Sequence, residues 1–252
     1  MAPISNDTGK AETMDILFMT SCGSEGLPGA KGDDITEKAA SGADGREIKK
    51  FLKKVYQPAE NGTDGIDAGP AQKGSPGQPG DPGGSCGSLI LEVKELICGT
   101  QLTIMADGAD GGRGGHGGDG GRGGAGGDGG KQLEKYQDQY PEARGGRGGR
   151  GGDGADGGDG GPGGNGGTVT VRYGTSNLSD PVFVSAGAGQ GGPGGNGGNP
   201  GPGGAGGKDG VREGAEPSYG PEGPAGAGGG SGSMGSPGDS GNIFIEQTEE
   251  LR

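Results

Sequence analysis

From Gly108 to Gly129 every third residue is glycine, without a slip. The same holds from Gly145 to Gly166, from Gly189 to Gly210 and from Gly220 to Gly241, eight consecutive triplets in each run. Shorter phased runs span Gly23 to Gly32 and Gly74 to Gly83, the latter after a ragged start at Gly62 and Gly65. A flexible linker needs glycine often but has no reason to keep it in phase. Period three is that of the polyproline II helix, which sets every third residue on one ridge and makes no hydrogen bonds within itself. Its backbone groups must therefore pair elsewhere or stay in water. The first two long runs are mostly Gly-Gly-X, so two ridges of three are bare and neighbouring rods can approach backbone to backbone. Interchain N–H···O=C bonds would then replace side-chain packing. At about 3.1 Å per residue, eight triplets make a rod about 74 Å long.

The third ridge of the first long run carries Asp110, Arg113, His116, Asp119, Arg122, Ala125 and Asp128 and is expected to face solvent. On that reading Asp119→Ala is nearly silent, whereas Gly117 and Gly118 tolerate no side chain. Antiparallel packing of the first two long rods would set Arg113 near Asp159 and Asp128 near Arg144, exposed pairs worth little individually.

Six segments beside the runs alternate like strands: 14–20, 88–97, 101–106, 168–173, 181–186 and 242–247. The chain thus reads strand, rod, connector, rod, strand three times over. The expected hairpins of rods are 14–97, 101–173 and 182–247, within a single glycine-rich domain over 1–252. The expected fold is a bundle of about six polyproline II rods with a small β-strand cap, short helical connectors and little α/β core. The connectors are 44–56, 131–143 and 211–219. In the first, Asp44 and Glu47 are spaced as a capping box, and Ile48, Phe51, Leu52 and Val55 fall on one helical face.

Only 25% of the 252 residues are hydrophobic and none is Trp, so an ordinary core cannot be large. A net charge of −13 opposes binding to phosphate backbones or anionic membrane surfaces unless a local basic patch overrides it. Arg144 to Gly152 reads RGGRGGRGG, but Asp153, Asp156 and Asp159 follow at once, a charged ridge rather than a phosphate tracker. Nucleic acid is not an expected partner. Collagen-like triplets occur at GSEGLPGAKGDD and GSPGQPGDPGGS, yet the long runs are poor in Pro and interrupted by strands. The apolar run at 14–19 is too short for a membrane span or a secretory signal, and the compartment is not legible.

No chemistry of metals or cofactors is expected. The Asp residues of DGADGGDGG recur every third position, about 9 Å apart along one ridge, too far to share an ion. His116 is the only histidine and has no nucleophile beside it. No phosphate-binding GxxxxGK[ST] loop is present. An enzyme is not expected, for want of a convergent acid, base and nucleophile. Cys22 and Cys86 sit at equivalent junctions of the first hairpin, where a disulfide and two buried thiols are equal alternatives; Cys98 lies in a turn and is expected free.

The candidate binding residues lie in the connectors. Four of the five tyrosines fall there, Tyr56, Tyr136, Tyr140 and Tyr219, with Phe51 beside the first. They either form a small core closing the rod ends or build a tip that binds a partner, since amphipathic aromatics anchor recognition surfaces. Lys49, Lys50, Lys53 and Lys54 make that end locally basic within an acidic molecule.

The stretch GGDGGKQLEKYQDQYPEARGGRGGRGGDG resembles the glycine-rich amino-terminal domain of the Obg GTPases, over about residues 100 to 190. That resemblance implies polyproline II rods on a β cap and a role in docking to a large assembly. GGHGGDGGRGGAGG also resembles springtail antifreeze proteins and the distal adhesins of some tailed phages, whose tip connectors bind receptors. The expected function is a nonenzymatic, rigid structural or display module that meets a protein or glycan surface through its connectors or ridges. The alternatives are a receptor- or glycan-binding adhesin tip and an ice-binding protein, for which Ala225, Ser233 and Ser236 are the short residues available.

Overall fold

The computed structural model describes residues 15–17 and 20–251. Eight strands carry its regular structure: β1 (Asp15–Leu17), β2 (Arg46–Lys50), β3 (Lys53–Gln57), β4 (Ser88–Leu96), β5 (Leu102–Met105), β6 (Thr168–Ser176), β7 (Val182–Ser185) and β8 (Ile243–Gln247). They form a parallel sheet β1-β5-β7, a parallel sheet β4-β6-β8 and an antiparallel hairpin β2-β3. Of the expected strand at 14–20, Met14, Phe18 and Met19 lie outside the described residues.

These findings correct the expected fold class. The described residues contain no α-helix, only three-residue 3-10 turns at Pro70–Gln72, Glu134–Tyr136 and Glu249–Leu251. Strands in three sheets, rather than a rod bundle with helical connectors, make up the regular structure. The connector at 44–56 is the β2-β3 hairpin, with Ile48 opposite Val55. Its apolar spacing suits a helix, but the capping residues are engaged by the next connector. Asp44 Oδ1 accepts the N–H of Lys131 at 2.8 Å, and Glu47 binds Tyr136 and Lys135.

The two parallel sheets pack together around one apolar cluster. Ile104, Val169 and Val171 are fully enclosed, with Leu96, Leu102, Ala106, Val182 and Ala186 beside them. Each of the larger side chains contributes about 1.5–3 kcal/mol on burial. Parallel pairing needs a long crossover between successive strands, and here the glycine-rich stretches supply it. β1, β5 and β7 each feed an outgoing stretch, and β4, β6 and β8 each receive a returning one.

Those stretches run extended outside any strand and are joined by backbone hydrogen bonds at every third residue. The outgoing stretches lie parallel to one another: Gly23 N–H donates to Asp110 O at 2.9 Å, and Gly111 N–H to Gln190 O at 2.8 Å. The returning ones do likewise, as from Gly148 N–H to Pro221 O at 2.9 Å. Antiparallel bonds tie the two layers, Gly112 N–H to Asp81 O, Gly158 N–H to Gly115 O and Gly192 N–H to Gly161 O, each at 2.8 Å. The approach leaves no room for a side chain. A Cβ on Gly118 would lie 1.9 Å from the carbonyl oxygen of Ala30, and one on Gly117 2.0 Å from that of Ala155.

The charged ridges do more than face solvent. Asp110, Asp119 and Asp128 accept the N–H groups of Gln190, Asn199 and Lys208 through Oδ1, each at 2.7 Å. Asp153, Asp156 and Asp159 do the same for Ala227, Gly230 and Ser233, also at 2.7 Å. Where the ridge carries Arg113, Arg122, Arg147 or Arg150, which cannot accept, the register places Pro193, Pro202, Pro221 or Pro224 opposite. Proline has no N–H to satisfy. The ridges of Arg113 and Asp159 belong to opposite layers, so the cross-layer ion pairs expected from sequence are replaced by Lys38 with Asp128 at 2.6 Å and Arg150 with Asp153 at 2.5 Å.

Candidate docking site at the far connectors

β2 and β3 are joined by a two-residue turn, Phe51 and Leu52, at the end of the molecule away from the parallel sheets. The register sets Lys50 directly opposite Lys53 and Lys49 directly opposite Lys54. Because side chains alternate across a strand, one lysine pair occupies each face of the hairpin. Like charges directly opposite destabilise an antiparallel pair. At the apex Phe51 is 100% exposed and Leu52 97% exposed. Phe51 also has φ +51°, a left-handed conformation costing a non-glycine residue roughly 1–2 kcal/mol.

Below the apex the hairpin rests on the second connector. Tyr56 stacks on Tyr136 with ring centroids 3.9 Å apart and planes at 18°, and Tyr140 closes the group at 5.1 Å from Tyr56. The Tyr56 hydroxyl donates to Gln132 Oε1 at 2.6 Å, and Ala59 N–H donates to the same oxygen at 3.0 Å. Gln132 is buried and returns its own amide N–H to Pro141 O at 2.8 Å. On the tyrosine face of the hairpin, half-buried Glu47 accepts from the Tyr136 hydroxyl at 2.9 Å and pairs with Lys135 and, at 3.4 Å, with Lys54. The Lys135 ammonium, then the Tyr136 hydroxyl, hold the Glu47 carboxyl down at about 2, and Glu47 in turn raises both partners. The third connector leans on the second through Arg212, which meets Asp138 at 2.9 Å and Gln137 O at 2.8 Å.

Of the residues expected here, Lys49, Lys50, Phe51, Lys53, Lys54, Tyr56, Tyr136 and Tyr140 therefore come together. Tyr219 does not. It pairs through its backbone with Lys208, and its side chain is exposed. Glu47, Gln132 and Lys135 were missed from sequence, although Glu47 was visible as a capping residue. Cys22, Cys86 and Cys98 are all free thiols, which corrects the Cys22–Cys86 disulfide alternative. Cys86 packs against the apolar cluster while Cys22 is exposed. Burial, with the nearby Asp107 charge, pushes the Cys86 thiol up. Ala225 sits eight positions from Ser233, so under a three-residue period it lies on a different ridge from Ser233 and Ser236. Among the described residues no group of three His, Cys, Asp or Glu is placed to hold a metal, and no helix is long and apolar enough to cross a membrane.

No family model matches the chain, and no curated protein matches it. Among solved structures, a nine polyproline type II helical bundle springtail antifreeze protein from Granisotoma rainieri is 25% identical over 79% of this chain and 96% of that chain. Its TM-score of 0.11 carries no argument about this one.

Proposed function

We propose that the protein is a nonenzymatic, rigid display module that docks through the connectors farthest from its parallel sheets. The observation that supports this most is the lysine-flanked β2-β3 hairpin held on the Tyr56, Tyr136 and Gln132 platform. Its exposed apolar apex, its like-charge pairs and its left-handed Phe51 all oppose stability at one place, a pattern concentrated at functional sites. The glycine-rich stretches behind it, bonded backbone to backbone, supply the stiffness that display requires. A second reading, a receptor- or glycan-binding adhesin tip, draws on Tyr219, whose 63% exposed side chain lies off the platform. Exchanging 45–56, 131–143 and 211–219 for short glycine-serine turns tests the proposal. Surface capture should be lost while the melting transition of the remainder is kept. Undiminished capture by the exchanged protein would overturn it.

A further inference from the structure

We infer that the β2-β3 hairpin is a membrane-docking finger: Phe51 and Leu52 enter the apolar edge of an anionic bilayer while Lys49, Lys50 and Lys53 lie among its headgroups. The inference rests on the far connectors being the docking end. The layering of the hairpin fits that partner. The two apolar side chains sit at the apex, and the lysine pairs follow one and two residues behind, about 3.4 and roughly 7 Å back along the strands. Interfacial segments bury their apolar face about 5–10 Å into the headgroup and acyl boundary, so apex and lysines reach the two levels together.

The lysines also choose between partner classes. One pair projects from each face of the hairpin, and a protein groove would engage one face and leave the other repelled. A fluid anionic surface surrounds the finger and neutralises both. Lys49, Lys50 and Lys53 carry no ion pair among the described residues, whereas Lys54 is shared with Glu47. The acidity of the whole chain does not forbid the approach. Each five-residue strand spans about 17 Å, roughly twice the screening length at physiological salt, so the acidic ridges beyond the hairpin's base are damped at the apex.

The test uses the full chain with phosphatidylcholine vesicles, with and without phosphatidylserine. Sedimentation should show binding only to vesicles containing phosphatidylserine, weakened by added salt. The chain has no Trp, so Phe51→Trp gives a single indole at the apex, whose emission should shift to the blue on those vesicles. The triple variant K49Q/K50Q/K53Q should bind about a hundredfold more weakly, and Leu52→Ser should remove the binding that survives high salt. These positions are exposed, and circular dichroism should show the variants folded as the parent is. Binding that ignores phosphatidylserine, an unshifted indole, or an unaffected triple variant would each overturn the inference. Capture by immobilised polyglutamate without vesicle binding would overturn the membrane but leave the docking end standing. Failure of both would remove the docking end as well.

Discussion

Gly118→Ala puts the backbone packing under the smallest perturbation that can break it. Its Cβ would stand 1.9 Å from the Ala30 carbonyl oxygen, and 3.0 Å is the closest such an atom is tolerated, so the two stretches must part by about 1 Å. Two bonds near 2.8 Å join those stretches at that point, Gly29 N–H to His116 O and Gly32 N–H to Asp119 O. Stretched by that distance they pass out of hydrogen-bond range. At about 1 kcal/mol net for each bond, the loss is about 2 kcal/mol, offset by about 0.4–1 kcal/mol from the stiffer unfolded chain. A net cost of about 1–1.5 kcal/mol lowers the melting temperature of a chain this size by about 2–6 °C. Gly228→Ala is the control. Its nearest neighbours are 3.7 Å away, so the substitution should be neutral or slightly stabilising. Calorimetry of the two variants side by side decides the matter. Equal melting temperatures would refute the reasoning that these glycines are required by close approach.

Asp119→Ala should cost about 1 kcal/mol, because Oδ1 no longer accepts the Asn199 N–H, while Asp119→Asn should recover part of that loss in the same melt. Glu47 has a folded pKa near 2 against an ordinary 4.5, so its contribution is fully present above about 4.5 and disappears as pH falls through about 2. Near-ultraviolet circular dichroism of the stacked tyrosines should follow that acid step, and Glu47→Gln should abolish its pH dependence. Ile104→Ala in the sheet core should cost about 2–5 kcal/mol by chemical denaturation.

The alternation of short apolar segments located the strands of the two parallel sheets, because period two is a local property that needs no knowledge of partners. The three-residue glycine period likewise reappears as the period of the backbone hydrogen bonds. What failed was local ambiguity. Ile48, Phe51, Leu52 and Val55 satisfy a helical face, yet IKKFLKKV is also nearly symmetric about Phe51 and Leu52, which sets lysine against lysine and Ile48 against Val55 in a hairpin. The role of the ridge aspartates was invisible for a different reason. Asp119 finds its donor 80 residues away, and only the register of two neighbouring stretches brings Asn199 to it. The same holds for the platform, where Tyr56 meets Gln132 across 76 residues.

Hydrogen exchange of the backbone amides tests most directly that stiff glycine-rich stretches carry a free docking tip. The N–H groups of Gly112, Gly115, Gly118 and Gly121 each donate to a neighbouring stretch and should exchange slowly, together with one another, at rates set by global opening. Those of Phe51 and Leu52 should exchange quickly. Glycine amides exchanging at the rate of a free peptide would contradict the account.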